Sequence, residues 1–192
     1  MQKAAQLSIH SLLIIGLLCV MTNSCKEDKA ADPLTVSDEL FYQQLGYTMI
    51  KCYTDIYNQN LAGKPTGTQN ITSSGPMGGT VIISGSDSYD KTHNITTTDL
   101  NYTLTNVTQT YSSTSTSGNT TCSTQVILTG DATYKGSFSD TYTSLNHQSQ
   151  NLRVTGSVTW AGVTRTIDQT GQVTINRSTT TSVNLFGHNV SW

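Results

Sequence analysis

The residues able to change protonation state or attack a substrate are few in this chain. His93, His147 and His188 are widely separated, and none stands in a His-x-x-x-His spacing. Cys52 and Cys122 form no Cys-x-x-Cys. A metal centre needs such ligands on neighbouring turns or loops, so no metal and no cofactor is expected. The histidines read as loop or turn residues: His93 follows Asp90-Lys91-Thr92, and His188 follows Phe186-Gly187. Asp87-Ser88-Tyr89-Asp90 is the one local acidic cluster in the strand-rich region. Its oxygens suit a hard cation, but it lacks the spacing of a calcium loop and reads as a turn. Hydroxyls are abundant, yet no Gly-x-Ser-x-Gly elbow marks a nucleophile. The chain reads as non-catalytic.

Aromatic side chains offer a different chemistry. Tyr89, Tyr102, Tyr111, Tyr134 and Tyr142 are spread through the strand-rich region, with Trp160 and Trp192 near the C-terminal hairpins. Rings with polar neighbours can form a platform for a glycan, and Tyr102, Trp160 and Trp192 are the candidates to face such a ligand. The same rings also suit core packing. A Ser/Thr-rich surface with glycine-flanked strands is compatible with another envelope protein adding a strand. Asn-x-Ser/Thr triplets at Asn70, Asn94, Asn101, Asn106, Asn119, Asn176 and Asn189 would carry glycans in a eukaryotic secreted chain. In a bacterial one they follow from Asn and Thr frequency alone.

Composition narrows the classes further. The chain has 192 residues, 11% charged and 35% hydrophobic, with a formal net charge of −2. Without a basic excess, nucleic acid is not an expected partner. Ser and Thr together make roughly 30% of the chain, where a soluble domain ordinarily shows far less, and these residues suit exposed strand faces. One domain of this length can bury its own core.

The N-terminus reads as an address. Lys3 precedes a short apolar run, Leu12 to Val20, half as long as a membrane span needs, and Thr22-Asn23-Ser24 lead into Cys25. Cys25 is followed by Lys26-Glu27-Asp28-Lys29 and Ala30-Ala31-Asp32-Pro33, a polar tether. This pattern resembles the surface lipoproteins of Bacteroidota, although Thr-Asn-Ser departs from a Leu-Ala-Gly box. The resemblance implies a signal peptide at residues 1–24, lipidation (palmitate among the acyl chains) of Cys25, a tether at residues 25–34, and attachment to the outer membrane, on its surface or periplasmic face. It covers the leader and tether only. Several acyl chains, at about 0.8 kcal/mol per buried methylene, hold a protein stably to a bilayer. Cys19 leaves with such a signal, so Cys52 and Cys122 remain as a candidate disulfide in an exported chain. A bridge would close a loop of roughly 70 residues, worth about 4 kcal/mol. The alternative is two separately buried thiols, and Cys52 lies on the apolar stripe described next.

The elements that would position these residues are one helix and many strands. Across residues 35–58, Phe41, Leu45, Met49, Cys52 and Ile56 recur at helical spacing, with Tyr42, Tyr53 and Tyr57 widening the stripe. Thr35 or Ser37 can cap it, and Asp38 and Glu39 suit its first turn. From about Gly79 onward no Glu occurs, and Thr, Ser, Val and Tyr alternate with a period of two. Leu152, Val154, Val158 and Trp160 share one face. Ala161-Gly162 is a two-residue hairpin turn pairing Trp160 with Val163, Val158 with Arg165 and Gly156 with Ile167. A Gly-x-Val-x-large pattern recurs at Gly79, Gly156 and Gly171, consistent with a meander. Residues 111–121 read as a loop or ragged sheet edge.

The expected fold is α+β, mostly β: a single domain, residues 35–192, in which the helix packs on a twisted antiparallel meander sheet. A β-sandwich or barrel with a plugging helix is the alternative. The functional expectation is a lipid-anchored envelope protein serving as a non-catalytic binding or structural module. Two alternatives accompany it: a carrier of a small apolar or lipid ligand between helix and sheet, and a hydrolase.

Overall fold

The computed structural model describes residues 36–114 and 120–192. The expected signal, Cys25 and the tether lie outside the described residues, as do residues 115–119. Helix α1 spans Asp38–Asn60. Ser37 caps it, its hydroxyl accepting from the Leu40 amide at 3.3 Å, with Asp38 and Glu39 in the first turn. At the other end the Asn60 side-chain amide donates to the Ile56 carbonyl at 2.8 Å. The stripe read from the sequence is the buried one: Phe41, Leu45, Met49, Cys52 and Ile56 are at most 1% exposed. Each such aliphatic or aromatic side chain contributes about 1.5–3 kcal/mol by leaving water.

Eight strands follow, each hydrogen-bonded to its neighbour in sequence: β1 Gly67–Ser74, β2 Thr80–Asp90, β3 Ile95–Thr114, β4 Thr121–Phe138, β5 Thr143–Trp160, β6 Val163–Arg177, β7 Thr181–Leu185 and β8 His188–Ser191. Every pair is antiparallel. β1 and β8 form the two edges, so the meander is one open sheet, not a sandwich or a closed barrel. No helix among the described residues is long and apolar enough to cross a membrane.

The C-terminal hairpin has the register its apolar pattern demands. Trp160 opposes Val163, Val158 opposes Arg165 and Gly156 opposes Ile167. Ala161 and Gly162 both take positive φ, 50° and 80°, the turn whose twist matches that of paired strands. Two differences from expectation stand out. β1 precedes Gly79, in a stretch where Ile71 is the one large apolar residue, too little to show as alternation. Residues 111–114 extend β3 instead of forming a loop.

The helix touches β3 through β8, and the sheet curls around it. Tyr47 shows how far: its ring lies 5.7 Å from Tyr111 of β3 and 4.3 Å from Trp192 beyond β8. Gly46 permits this approach, because a Cβ there would stand 3.1 Å from the Trp192 ring and 3.2 Å from a Val183 methyl. Between helix and sheet the space is filled by Phe41, Leu45, Met49 and Ile56 from α1 against Val81, Ile83, Leu100, Leu104, Leu128 and Val154.

Candidate functional site

The three ligand-facing aromatics expected from the sequence do not converge. Tyr102 is fully buried, because it falls on the inward face of β3, and this corrects its assignment as a ligand-facing ring. Trp160 lies on the same face at the end of β5, half-buried against the core, opposite Cys122 and Val163. Trp192 is half-buried and leans on Tyr47. Cys52 and Cys122 are free thiols, both buried, so the disulfide weighed from the sequence is not formed. Burial pushes the Cys52 thiol up to about 12, with Asp55 adding to the shift, and burial raises Cys122 as well. Neither is poised as a thiolate.

The acidic cluster is not a turn. Asp87 to Asp90 end β2, and the two carboxylates serve separate structural ends. Asp87 is buried and accepts from the Gly67 amide at 3.2 Å and the Gln69 side chain at 2.8 Å, tying β1 to β2. Asp90 accepts from His93 Nδ1 at 2.7 Å and from the Thr92 amide at 2.8 Å across the exposed turn. Those bonds hold its carboxyl below the usual range. Among the described residues, no three His, Cys, Asp or Glu side chains come together in a set that could hold a metal.

His147 is the departure with the largest physical consequence. It is a buried mid-strand residue, not a loop histidine, 1% exposed on the inward face of β5. Its ring stacks on Tyr53 at 4.9 Å and meets the edge of Tyr134 at 4.8 Å. Tyr134 in turn lies 5.6 Å from both Tyr102 and Tyr57. Neither nitrogen of His147 finds a hydrogen-bond partner among the described residues, nor do Tyr102 Oη and Ser149 Oγ. Burial drives the imidazole down to about 3, and the nearby Arg177 guanidinium pushes the same way. It is neutral at ordinary pH.

Just outside this cluster the sheet opens. Between the pairs Thr129–Arg153 and Lys135–Asn146 the β4–β5 ladder is interrupted, with one more residue in β5 than in β4. The β5–β6 ladder shifts at the same place, between Ser149 and Leu152. Such a bulge bends a strand and re-aims its side chains. Here it exposes Gln150 and Asn151 in succession, breaking the alternation. Gly130 faces the bulge with φ 129°, where a Cβ would stand 2.9 Å from the Asn151 carbonyl oxygen. The result is a cleft of about 540 Å³ lined by Asn101, Asp131, Thr133, Gln148, Gln150 and Asn151, with Ala132 and Ser149 among its walls.

No family model, curated protein or solved structure matches this chain. The cleft therefore has to be read from its own chemistry. Amides both donate and accept hydrogen bonds, and the one carboxylate, Asp131, already accepts from the Thr103 hydroxyl at 2.6 Å. The neighbouring cations are matched: Lys135 with Asp99 at 2.7 Å, and Arg153 with Asp168 at 3.0 Å. None of these lining residues stood out in the sequence as a ligand-facing candidate. The one available signal was the lost alternation at Gln150-Asn151, midway along an otherwise regular strand.

Proposed function

We propose that the chain is a lipid-anchored protein of the cell envelope, at the outer membrane, whose domain acts as a non-catalytic binding module. The observation that carries the binding role is the cleft between β4 and β5. Its walls supply amides and hydroxyls that hold a ligand, without a nucleophile and base in contact. The packed interface between helix and sheet, where Leu45, Met49 and Ile56 are fully buried, favours this over a carrier that would need an interior cavity. The anchor rests on Cys25 and the Lys26-Glu27-Asp28-Lys29 tether that follows it.

Two measurements test the proposal. Cys25→Ala should abolish incorporation of labelled palmitate and release the domain from the membrane fraction; a wild type that incorporates none removes the anchor. The purified domain should bind polysaccharide isolated from the envelope of its own cells in calorimetric titration. Sustained turnover of a generic hydrolase substrate, abolished by one point substitution, would replace the binding module with an enzyme.

A further inference from the structure

We infer that a pocket at the C-terminal end of α1 takes an anionic saccharide, its ring on Tyr89 and its negative group at Lys64 and Lys91. The site is separate from the β4–β5 cleft and goes beyond the binding role assigned there. Four segments of the chain build it. Tyr57 and Leu61 come from the end of α1 and its cap, and Lys64 from the link to β1; Tyr89 and Lys91 come from the end of β2 and its turn, and Thr96 from β3. The pocket measures about 430 Å³, inside the range of about 300–1,000 Å³ usual for small-molecule sites.

The sign of the ligand's charge follows from where the cations are spent. Seven Lys and Arg side chains lie among the described residues. Lys51, Lys135, Arg153 and Arg165 form ion pairs with aspartates, and Arg177 donates to the Thr54 hydroxyl. The two that remain, Lys64 and Lys91, line this one pocket, and no carboxylate lines it with them. Asp87 and Asp90 stand on the same strand as Tyr89, but their oxygens accept from Gly67 and Gln69, and from Thr92 and His93. Lys64 reaches the Gln59 carbonyl at 3.4 Å, at the helix end where the dipole favours a cation. An ammonium has three donors, so Lys64 keeps two for a ligand. Lys91 stands on the β2–β3 turn, where no helix end calls for a cation. Two like charges brought to one pocket repel, and an anion between them offsets that repulsion.

The ring follows from Tyr89. It continues the inward-facing row of β2, in which Val81, Ile83 and Asp87 are buried, yet it is 46% exposed. Its hydroxyl is held by Asn94 Oδ1, which fixes the ring at the pocket wall. Tyr57 and Leu61, buried at 6% and 2% exposure, make the floor apolar, and the Thr96 hydroxyl adds a group that both donates and accepts. An open aromatic face beside hydroxyls suits the C–H face and hydroxyls of a sugar ring. An ammonium attracts carboxylate and phosphate alike as a point charge, so the shared chemistry is an anionic sugar.

The test is an NMR titration of the isotope-labelled protein with a uronic-acid disaccharide, a sugar phosphate, the neutral disaccharide and acetate. An anionic sugar should shift the Tyr89 ring and the Lys64 and Lys91 backbone amides, saturably, and less tightly as salt rises. Whichever of the two anionic sugars binds tighter identifies carboxylate or phosphate as the preferred group. Lys64→Gln and Lys91→Gln, both at exposed positions, should each weaken it about fivefold, and Tyr89→Ala by about as much. Equal affinity for the neutral disaccharide, or no loss in either lysine variant, overturns the inference by removing the charge. Acetate binding as tightly as the sugars, or an unaffected Tyr89→Ala, overturns it by removing the ring, and shifts confined to other surfaces overturn it outright. Such a failure leaves the β4–β5 cleft as the proposed binding site. A protein that takes the anionic sugar here but no envelope polysaccharide keeps this pocket and loses the function proposed for the cleft.

Discussion

His147 should make this domain lose stability as the pH falls from about 6.5. Its imidazole is neutral inside the fold, driven from 6.5 to about 3 by burial and by the Arg177 charge. On unfolding it regains an ordinary pKa, so between these values the unfolded chain binds the extra proton. Where the unfolded state binds more protons, stability rises with pH. The contribution is therefore complete above the unfolded value and declines below it. One pKa unit corresponds to about 1.4 kcal/mol, so the full shift amounts to about 5 kcal/mol, reached only near pH 3. About 2 kcal/mol is already gone at pH 5, a large part of the roughly 5–15 kcal/mol that holds a domain together. Asp90 and Asp168 are also shifted, but downward from 3.8, so their losses begin near 3.8, below the pH 5–8 range in which the His147 slope is measured. Urea unfolding followed by circular dichroism at pH 8, 6 and 5 measures the slope. His147→Phe keeps an aromatic ring against Tyr53, removes both unpaired nitrogens, and should flatten the slope while leaving stability at pH 8 at least unchanged. A wild type whose unfolding free energy at pH 5 stays within about 0.5 kcal/mol of its value at pH 8, beyond the error of extrapolation, refutes the reasoning. So does a His147→Phe variant with the same slope.

Other substitutions probe the scaffold. Leu45→Ala, at a fully buried position facing the sheet, should cost about 2–5 kcal/mol in urea titrations. Gly130→Ala forces a side chain into φ 129° against the Asn151 carbonyl, and should cost about 1–3 kcal/mol. Trp160 is half-buried at a strand end, so Trp160→Ala should cost about 1–2 kcal/mol, less than a fully buried ring, and Thr159→Ala under about 1 kcal/mol. Unfolding curves order the two, and acrylamide quenching in a Trp192→Phe background, which leaves Trp160 as the one tryptophan, reports its partial exposure.

The elements most legible in the sequence are those whose pattern is local and whose partner is unambiguous. Five apolar residues at helical spacing leave one face for burial, and α1 buries that face. The hairpin at Ala161-Gly162 was legible because two conditions had to agree: the turn fixes the register, and the register must put Val158 and Ile167 on one face. β1 carried no such pattern. It is an edge strand whose exposed and half-buried positions are Thr, Gln, Asn and Ser around Ile71, and it is held by pairing with β2 and by the Asp87 carboxylate, neither of which is a property of its own residues.

The cleft was hidden for a related reason. Alternation tells which face a side chain occupies, but a gap between strands is a relation between two chains of residues. It arises because β5 spends one more residue than β4 between shared anchor pairs, a mismatch visible only when both registers are known. His147 was misread by the same limit. A histidine flanked by Asn146 and Gln148 looks like a polar loop, and only the ring positions of Tyr53 and Tyr134, one on the helix and one on β4, reveal that its side of the strand is closed to water. Both surprises lie on the same few residues of β5. His147 fills the inner face against Tyr53 and Tyr134, while the extra residue at Gln150-Asn151 parts β5 from β4, so one short stretch of strand closes one face with packed rings and opens the other with a bulge.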